Sequence, residues 1–201
     1  MLKTKLFFVV FGVFLSSSLF ANGDYEPYVG DLIFQSLPSS DLVDAIEGAT
    51  KSPYSHVGIV LKSEKGWMVR EAIGDVHDTK LTEFLSRGRN FKFDVYRFKA
   101  KYQPLIPKII AETANYLGRP YDIRYRMDDS AIYCSELIYK AAKDATGLKL
   151  GNLVKLGSLD WGPYQSLIIS IEGGPVPKER VMITPRDLAK ATQLELVYSA
   201  Y

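Results

Sequence analysis

The 201 residues, 47% hydrophobic and 24% charged, suit one globular domain with a sizeable core and leave little room for a second. A formal charge of +2 with no long basic run and no interleaved basic-aromatic tract gives no argument for nucleic acid as a partner. The 1 cysteine excludes an internal disulfide, and with 2 histidines at no recognisable spacing it does not make a zinc ligand set, so neither a metal nor another cofactor is expected.

At the start of the chain, Lys3 and Lys5, the apolar run 6–15 and the SSSLFA stretch ending at Ala21 make a secretory signal peptide. The run is short of the roughly 20 residues a membrane span needs, so cleavage near Ala21 is expected, with no stable span afterwards. Residues 22–201 then form one domain, periplasmic or secreted. After a polar lead-in over 22–29, residues 29–35 read as a strand whose Leu32, Ile33 and Phe34 are buried on both faces. Residues 41–50 predict a short helix, capped by Ser39, Ser40 or Asp41, that turns Leu42, Val43, Ala45 and Ile46 inward and ends at Pro53.

Two β-rich runs, 54–62 and 67–74, flank a short Gly-containing loop and predict a hairpin. With residues 63–66 as the loop, Val60 faces Val69 and Gly58 faces Glu71. His56 then shares a face with Glu71, its diagonal neighbour. A bulge at Gly66 would turn Glu71 to the opposite face. Residues 75–80, with His77, read as polar loop, and a helix begins at about Leu81. A half-exposed strand follows at 91–98, then a helix at 104–117 that Gly118 stops. Residues 133–146 form a helix that starts after a loop of turn formers and ends at Gly147. Over 147–180 the glycines and prolines predict loop with one short element, and a Thr-Pro helix start at 184–191 leads to a closing strand, LELVYSAY.

Cys134 falls in the first turn of its helix, where free N–H groups and the positive dipole end favour a thiolate. A lone thiol in an exported chain needs a reason. It is either a small buried hydrophobe or a reactive group. A cysteine nucleophile requires a base, a group that orients the base, and donors for an oxyanion. His56 supplies a base and Glu71 an orienter, although a satisfied strand histidine and an exposed strand carboxylate are the plainer readings of each alone. His77, beside Asp75 and Asp78, is the other possible base. The Cys134 N–H, unpaired at a helix start, is one oxyanion donor, and the Tyr54 hydroxyl is a second candidate. Tyr121 and Asp122, ahead of the cysteine helix, are candidates for shaping the cleft and touching substrate.

GDLIF at 30–34, YSHVGIV at 54–60, EA at 71–72, LGRPYD at 117–122 and YCSEL at 133–137, in that order, resemble the YiiX/YaeF-like branch of permuted papain-like cysteine hydrolases in the NlpC superfamily. Usual members of the superfamily place the cysteine helix ahead of the GDL and HVGI strands. Here it follows them, as in the circularly permuted branch. The resemblance implies an α+β papain-like fold, with an antiparallel barrel-like sheet packed on the cysteine helix, and a Cys-His-Glu triad carried onto Cys134, His56 and Glu71. It also implies amidase or peptidase chemistry, with a small peptide, a cell-wall peptide or an acyl lipid as substrate. Two readings compete with a peptide amidase: a lipid acyl hydrolase or acyltransferase using the same triad, and a non-catalytic module that binds wall peptide or lipid.

Overall fold

The structure, a computed structural model, describes residues 25–201. The signal peptide expected over 1–21 lies outside the described residues. Gly30, at φ +92°, makes the turn into the first strand, a backbone conformation that a Cβ would strain. Asp31 then turns fully inward, accepting from the Tyr25 hydroxyl, the Tyr28 N–H and the Arg97 guanidinium. The GD pair is thus a turn plus a satisfied buried charge.

β1 (Leu32–Gln35) is followed by α1 (Asp41–Thr50), the hairpin β2 (His56–Ser63) and β3 (Gly66–Ile73), then β4 (Asp75–Lys80) and α2 (Leu81–Arg87). Next come β5 (Phe93–Phe98), α3 (Ile106–Thr113) and α4 (Cys134–Thr146). The chain closes with β6 (Val154–Lys155), α5 (Gln165–Glu172), β7 (Val181–Met182), α6 (Pro185–Ala189) and β8 (Leu194–Ser199). Six strands form one antiparallel sheet in the order β4-β3-β2-β1-β5-β8, and β6 pairs with β7 apart from it.

The sheet is covered on both sides. Leu32, Phe34, Val57 and Ile59 pack with Ile138, Ala141 and Ala142 of α4 and with Ile109 of α3. Ile33, Val60, Val69 and Val95 pack with Phe84 and Leu85 of α2. This double cover is why β1 reads as a continuous apolar run instead of alternating. Central burial of this kind contributes roughly 1.5–3 kcal/mol per large apolar side chain and fixes the sheet's register.

The hairpin register is as expected, with Gly58 opposite Glu71 and Val60 opposite Val69, and no bulge intervenes. The helices at 41–50, from Leu81 and from Cys134 also form, Ser40 capping the first through a bond from the Val43 N–H to its Oγ. Three expectations differ. Residues 75–80 are strand, because their ladder with β3 is made by backbone groups and does not require apolar side chains. α1 ends at Lys51, which adopts a left-handed conformation and returns its N–H to the last turn, before Pro53 is reached. Leu42, Ala45 and Ile46 are only half-buried, since they line surface concavities; Val43 is the apolar side chain that α1 buries.

Candidate active site

Cys134 is the first residue of α4, where its N–H has no partner within the helix. The start of the helix is pinned by Glu136, whose carboxylate accepts the Tyr133 N–H at 3.3 Å and lies 3.3 Å from the Lys140 ammonium. Burial pushes the Glu136 carboxyl up to about 8 despite that ammonium. The thiol is buried and meets the Ser55 carbonyl at 4.0 Å, so the N-terminus of α4 abuts the residue just ahead of β2.

His56 opens β2. Its Nε2 lies 2.6 Å from Glu71 Oε2, which leaves Nδ1 as the ring nitrogen open to the neighbouring Cys134 side chain. Phe84 lies against the imidazole with ring centroids 5.6 Å apart. Gly58, next on the same face, is required by close packing: a Cβ there would stand 2.3 Å from a Val69 methyl and 3.0 Å from the Phe84 ring. Burial by itself would drive the imidazole toward neutrality. The bonds and charges of Cys134 and Glu71 outweigh it and push the His56 pKa up to about 9. A proton kept on this ring and off the sulfur is the state in which the sulfur is nucleophilic.

Glu71 is fully buried and shared by three donors. Besides His56, it accepts from Thr79 Oγ1 at 2.5 Å and from Arg87 Nη2 at 2.6 and 2.5 Å to its two oxygens. Burial raises its pKa, but the bonds from His56, Arg87 and Thr79 prevail and hold it at about 2. Sequence reasoning missed both Thr79 and Arg87. Thr79 had a signal: Glu71 faces His77 across the β3-β4 ladder, so Thr79 is its diagonal neighbour, just as Glu71 is the diagonal neighbour of His56. Arg87, at the last turn of α2, reaches Glu71 only through tertiary packing. Its cation offsets the carboxylate, so the group that orients His56 is a nearly neutral pair. His77 itself turns to Asp75 at 2.7 Å and is 42% exposed, apart from the thiol.

Tyr54 is corrected as an oxyanion donor. Its hydroxyl donates to the buried Asp94 carboxylate, which consumes its one proton. Asp122 is corrected as a cleft residue. It is buried, and its carboxylate accepts the Arg124 N–H at 2.9 Å and the Arg126 N–H at 2.5 Å, shaping the loop. Tyr121 does line the cleft with His56, Ser55, Ala72 and Gly74. Its hydroxyl is 2.8 Å from that of Tyr125, and such a pair shares one proton internally and keeps the other free. Burial first, then the charge of the neighbouring Tyr125 and Cys134, raises the Tyr121 hydroxyl well above its usual range, so it remains a donor at neutral pH.

Residues 26–198 match the sequence model of a family described as permuted papain-like amidase enzymes, YaeF/YiiX, C92 family. The chain belongs to that family. It is 32% identical to an uncharacterized protein YiiX of Escherichia coli strain K12 over 176 residues, 86% of this chain and 87% of that one. A solved structure of yiiX from Escherichia coli O157:H7 superposes with a TM-score of 0.82 at 32% identity, covering 88% of this chain and 99% of that chain. The fold is therefore permuted papain-like, with the histidine and glutamate strands ahead of the cysteine helix, and the family is one of amidase enzymes. That yiiX is described as a metalloprotein. Among the described residues of this chain, no three His, Cys, Asp or Glu side chains stand together as ligands, and Glu71 is already occupied by three donors. The described residues do not fit a metal there.

Proposed function

We propose that the protein hydrolyses an amide bond through a thioester on Cys134. The observation that carries this is the buried imidazole of His56, bonded at Nε2 to Glu71 and neighboured by the Cys134 side chain, which helps to raise its pKa. His56 takes the thiol proton and the thiolate attacks the amide carbonyl carbon. The resulting oxyanion is met by the Cys134 N–H and by the free proton of the Tyr121–Tyr125 pair. As the C–N bond breaks, His56 returns its proton to the leaving amine. It then takes a proton from water, which attacks the thioester and restores the thiol.

The test is covalent labelling by a thiol-directed substrate analogue. Cys134→Ala and His56→Ala are each expected to abolish it, while His77→Ala retains it. Equal labelling of all three variants would end the assignment. Of the two substrate classes, peptide and acyl lipid, an acyl chain is favoured by the apolar concavity that Ala45 and Ala49 of α1 and Leu167, Ile168 and Ile171 of α5 line. The proposal also places the enzyme outside the cytoplasm, on the strength of residues 1–21. N-terminal sequencing of the chain expressed in its host is expected to begin at Asn22, and a mature chain that retains Met1 would refute export by cleavage.

A further inference from the structure

The wall of the His56 cleft carries one polar side chain that the chemistry above leaves unused. Ser55 lines the cleft beside His56 and Tyr121 and is 2% exposed. Cys134 is 1% exposed and does not line the cleft itself. The cleft reaches the thiol through Ser55, whose carbonyl is 4.0 Å from the sulfur, and through its neighbour His56. A group that enters the cleft and reacts with the sulfur therefore lies alongside Ser55.

The polar atoms of Ser55 can be followed one by one. Its N–H donates to the Gln35 carbonyl at 3.1 Å, its carbonyl faces the sulfur, and its Oγ accepts the Leu37 N–H at 2.9 Å. Among the described residues the hydroxyl proton goes to no acceptor. A serine oxygen that accepts still has one proton to give, and a buried donor without an acceptor is costly unless something arrives to take it. The Leu37 N–H also polarises the O–H and makes it a better donor. Gln35 ends β1 directly opposite His56 at the opening of β2, so the bonds from Ser55 and Leu37 fix the hydroxyl where the two strands meet. Its ordering is complete before any substrate binds.

The rest of the lining decides what such a donor meets. Leu37, Val43, Ala72 and Ile73 are apolar, and no Asp, Glu, Lys or Arg of the described residues lines the cleft. An anion is poorly served there, because the positive charge of His56 is already paired with Glu71 and faces the thiol. A carbonyl oxygen loses less on leaving water, and one hydrogen bond satisfies it.

We infer that Ser55 is a specificity-determining residue whose hydroxyl donates to a second carbonyl of the substrate, beside the amide that Cys134 attacks. The substrate class is then an amide with a further C=O group close to the scissile bond. This rests on the amidase reading above and deepens it: the Cys134 N–H and the Tyr121–Tyr125 pair serve the oxyanion, and Ser55 reads the neighbouring group.

Two pairs of amides that differ by one carbonyl test this. On the acyl side, the p-nitroanilides of levulinic and pentanoic acid are compared; on the amine side, N-acetonylacetamide and N-propylacetamide, followed by acetate release. In one pair, kcat/KM for the carbonyl-bearing member is expected to exceed that of its methylene partner about tenfold. Ser55→Ala should bring the ratio to about one, with Ser55→Gly read in the same way, whereas Ser55→Thr keeps the hydroxyl and should keep the ratio. Each ratio is taken within one protein sample, so it does not depend on how much of a variant folds. If Ser55→Ala slows both members equally, Ser55 is an oxyanion donor or a scaffold residue; if the parent ratio is about one in both pairs, there is no second carbonyl to read. Either result overturns the inference and leaves the amidase intact. If the parent turns over neither pair, the amidase reading fails, and alkylation of Cys134 by the chloromethyl ketones of the same two acyl groups is measured, each rate divided by that with glutathione. A preference for the levulinoyl reagent that Ser55→Ala removes would keep the inference, and its absence would overturn it.

Discussion

The corner that holds His56 and the wall that α5 forms are built on opposite principles. At the corner, both carboxylate oxygens of Glu71 are engaged, Phe84 and Gly58 leave the imidazole one place to be, and four elements, β2, β3, β4 and α2, converge within hydrogen-bond distance. At the wall, an apolar helix is fixed only at its ends and buries no side chain. Acid-base chemistry requires positions fixed to a fraction of an ångström, whereas an alkyl chain is bound by area and tolerates displacement. The contrast teaches which part of the molecule is built for reaction and which for recognition.

Glu71→Ala is the severest way to break that contrast. It leaves Arg87 and a buried His56 without their carboxylate, and is expected to destabilise the fold by about 3 kcal/mol in denaturant melts. The Glu71 contribution has a definite pH sense. Its pKa is depressed from 4.5 to about 2, so its stabilisation is complete above the unfolded value and is lost as pH falls toward 2. A melt midpoint unchanged by the substitution at pH 7 would contradict an over-determined corner.

A smaller effect is expected from Arg87→Gln, read in the pH profile. His56, raised from 6.5 to about 9, is protonated below that pH and can give its proton to the leaving amine; above it, activity declines, whereas the stability its proton contributes is complete below 6.5 and is lost as pH rises from there through 9. Without Arg87 the full charge of Glu71 falls on the ring, so the alkaline limb of kcat/KM moves above 9, while Arg87→Lys holds it near the parent value. An unmoved limb with reduced stability would reduce Arg87 to packing alone. The mildest change belongs to the wall: Ile169→Asp, on a side chain 40% exposed, is expected to alter stability by no more than about 0.5 kcal/mol. A larger loss would mean that α5 is packed after all.

The two regions also differ in how readily the sequence discloses them. The His56–Glu71 pairing follows from alternation and a short loop, because a strand's period of two and a hairpin's register are local properties. The Cys134 helix is legible for the same reason, its apolar spacing and Gly147 lying within one short stretch. β4 escaped because DVHDTK carries no apolar alternation, and with it went Thr79. Tyr54 shows the reverse error. The strand expected over 54–62 starts only at His56, two residues past Tyr54, and the partner of the Tyr54 hydroxyl, Asp94, is 40 residues away on β5.

By itself, then, the sequence determined the strands and helices whose periodicity is local, the diagonal pairing of His56 with Glu71, and the helix start at Cys134. Only the tertiary structure decided that Arg87 closes on Glu71, that Asp94 claims Tyr54, and that α1 and α5 leave an apolar groove adjoining the cleft. Local patterns constrain dihedral angles and faces. Which distant side chains then meet is set by how the faces pack, and no spacing along the chain encodes that directly.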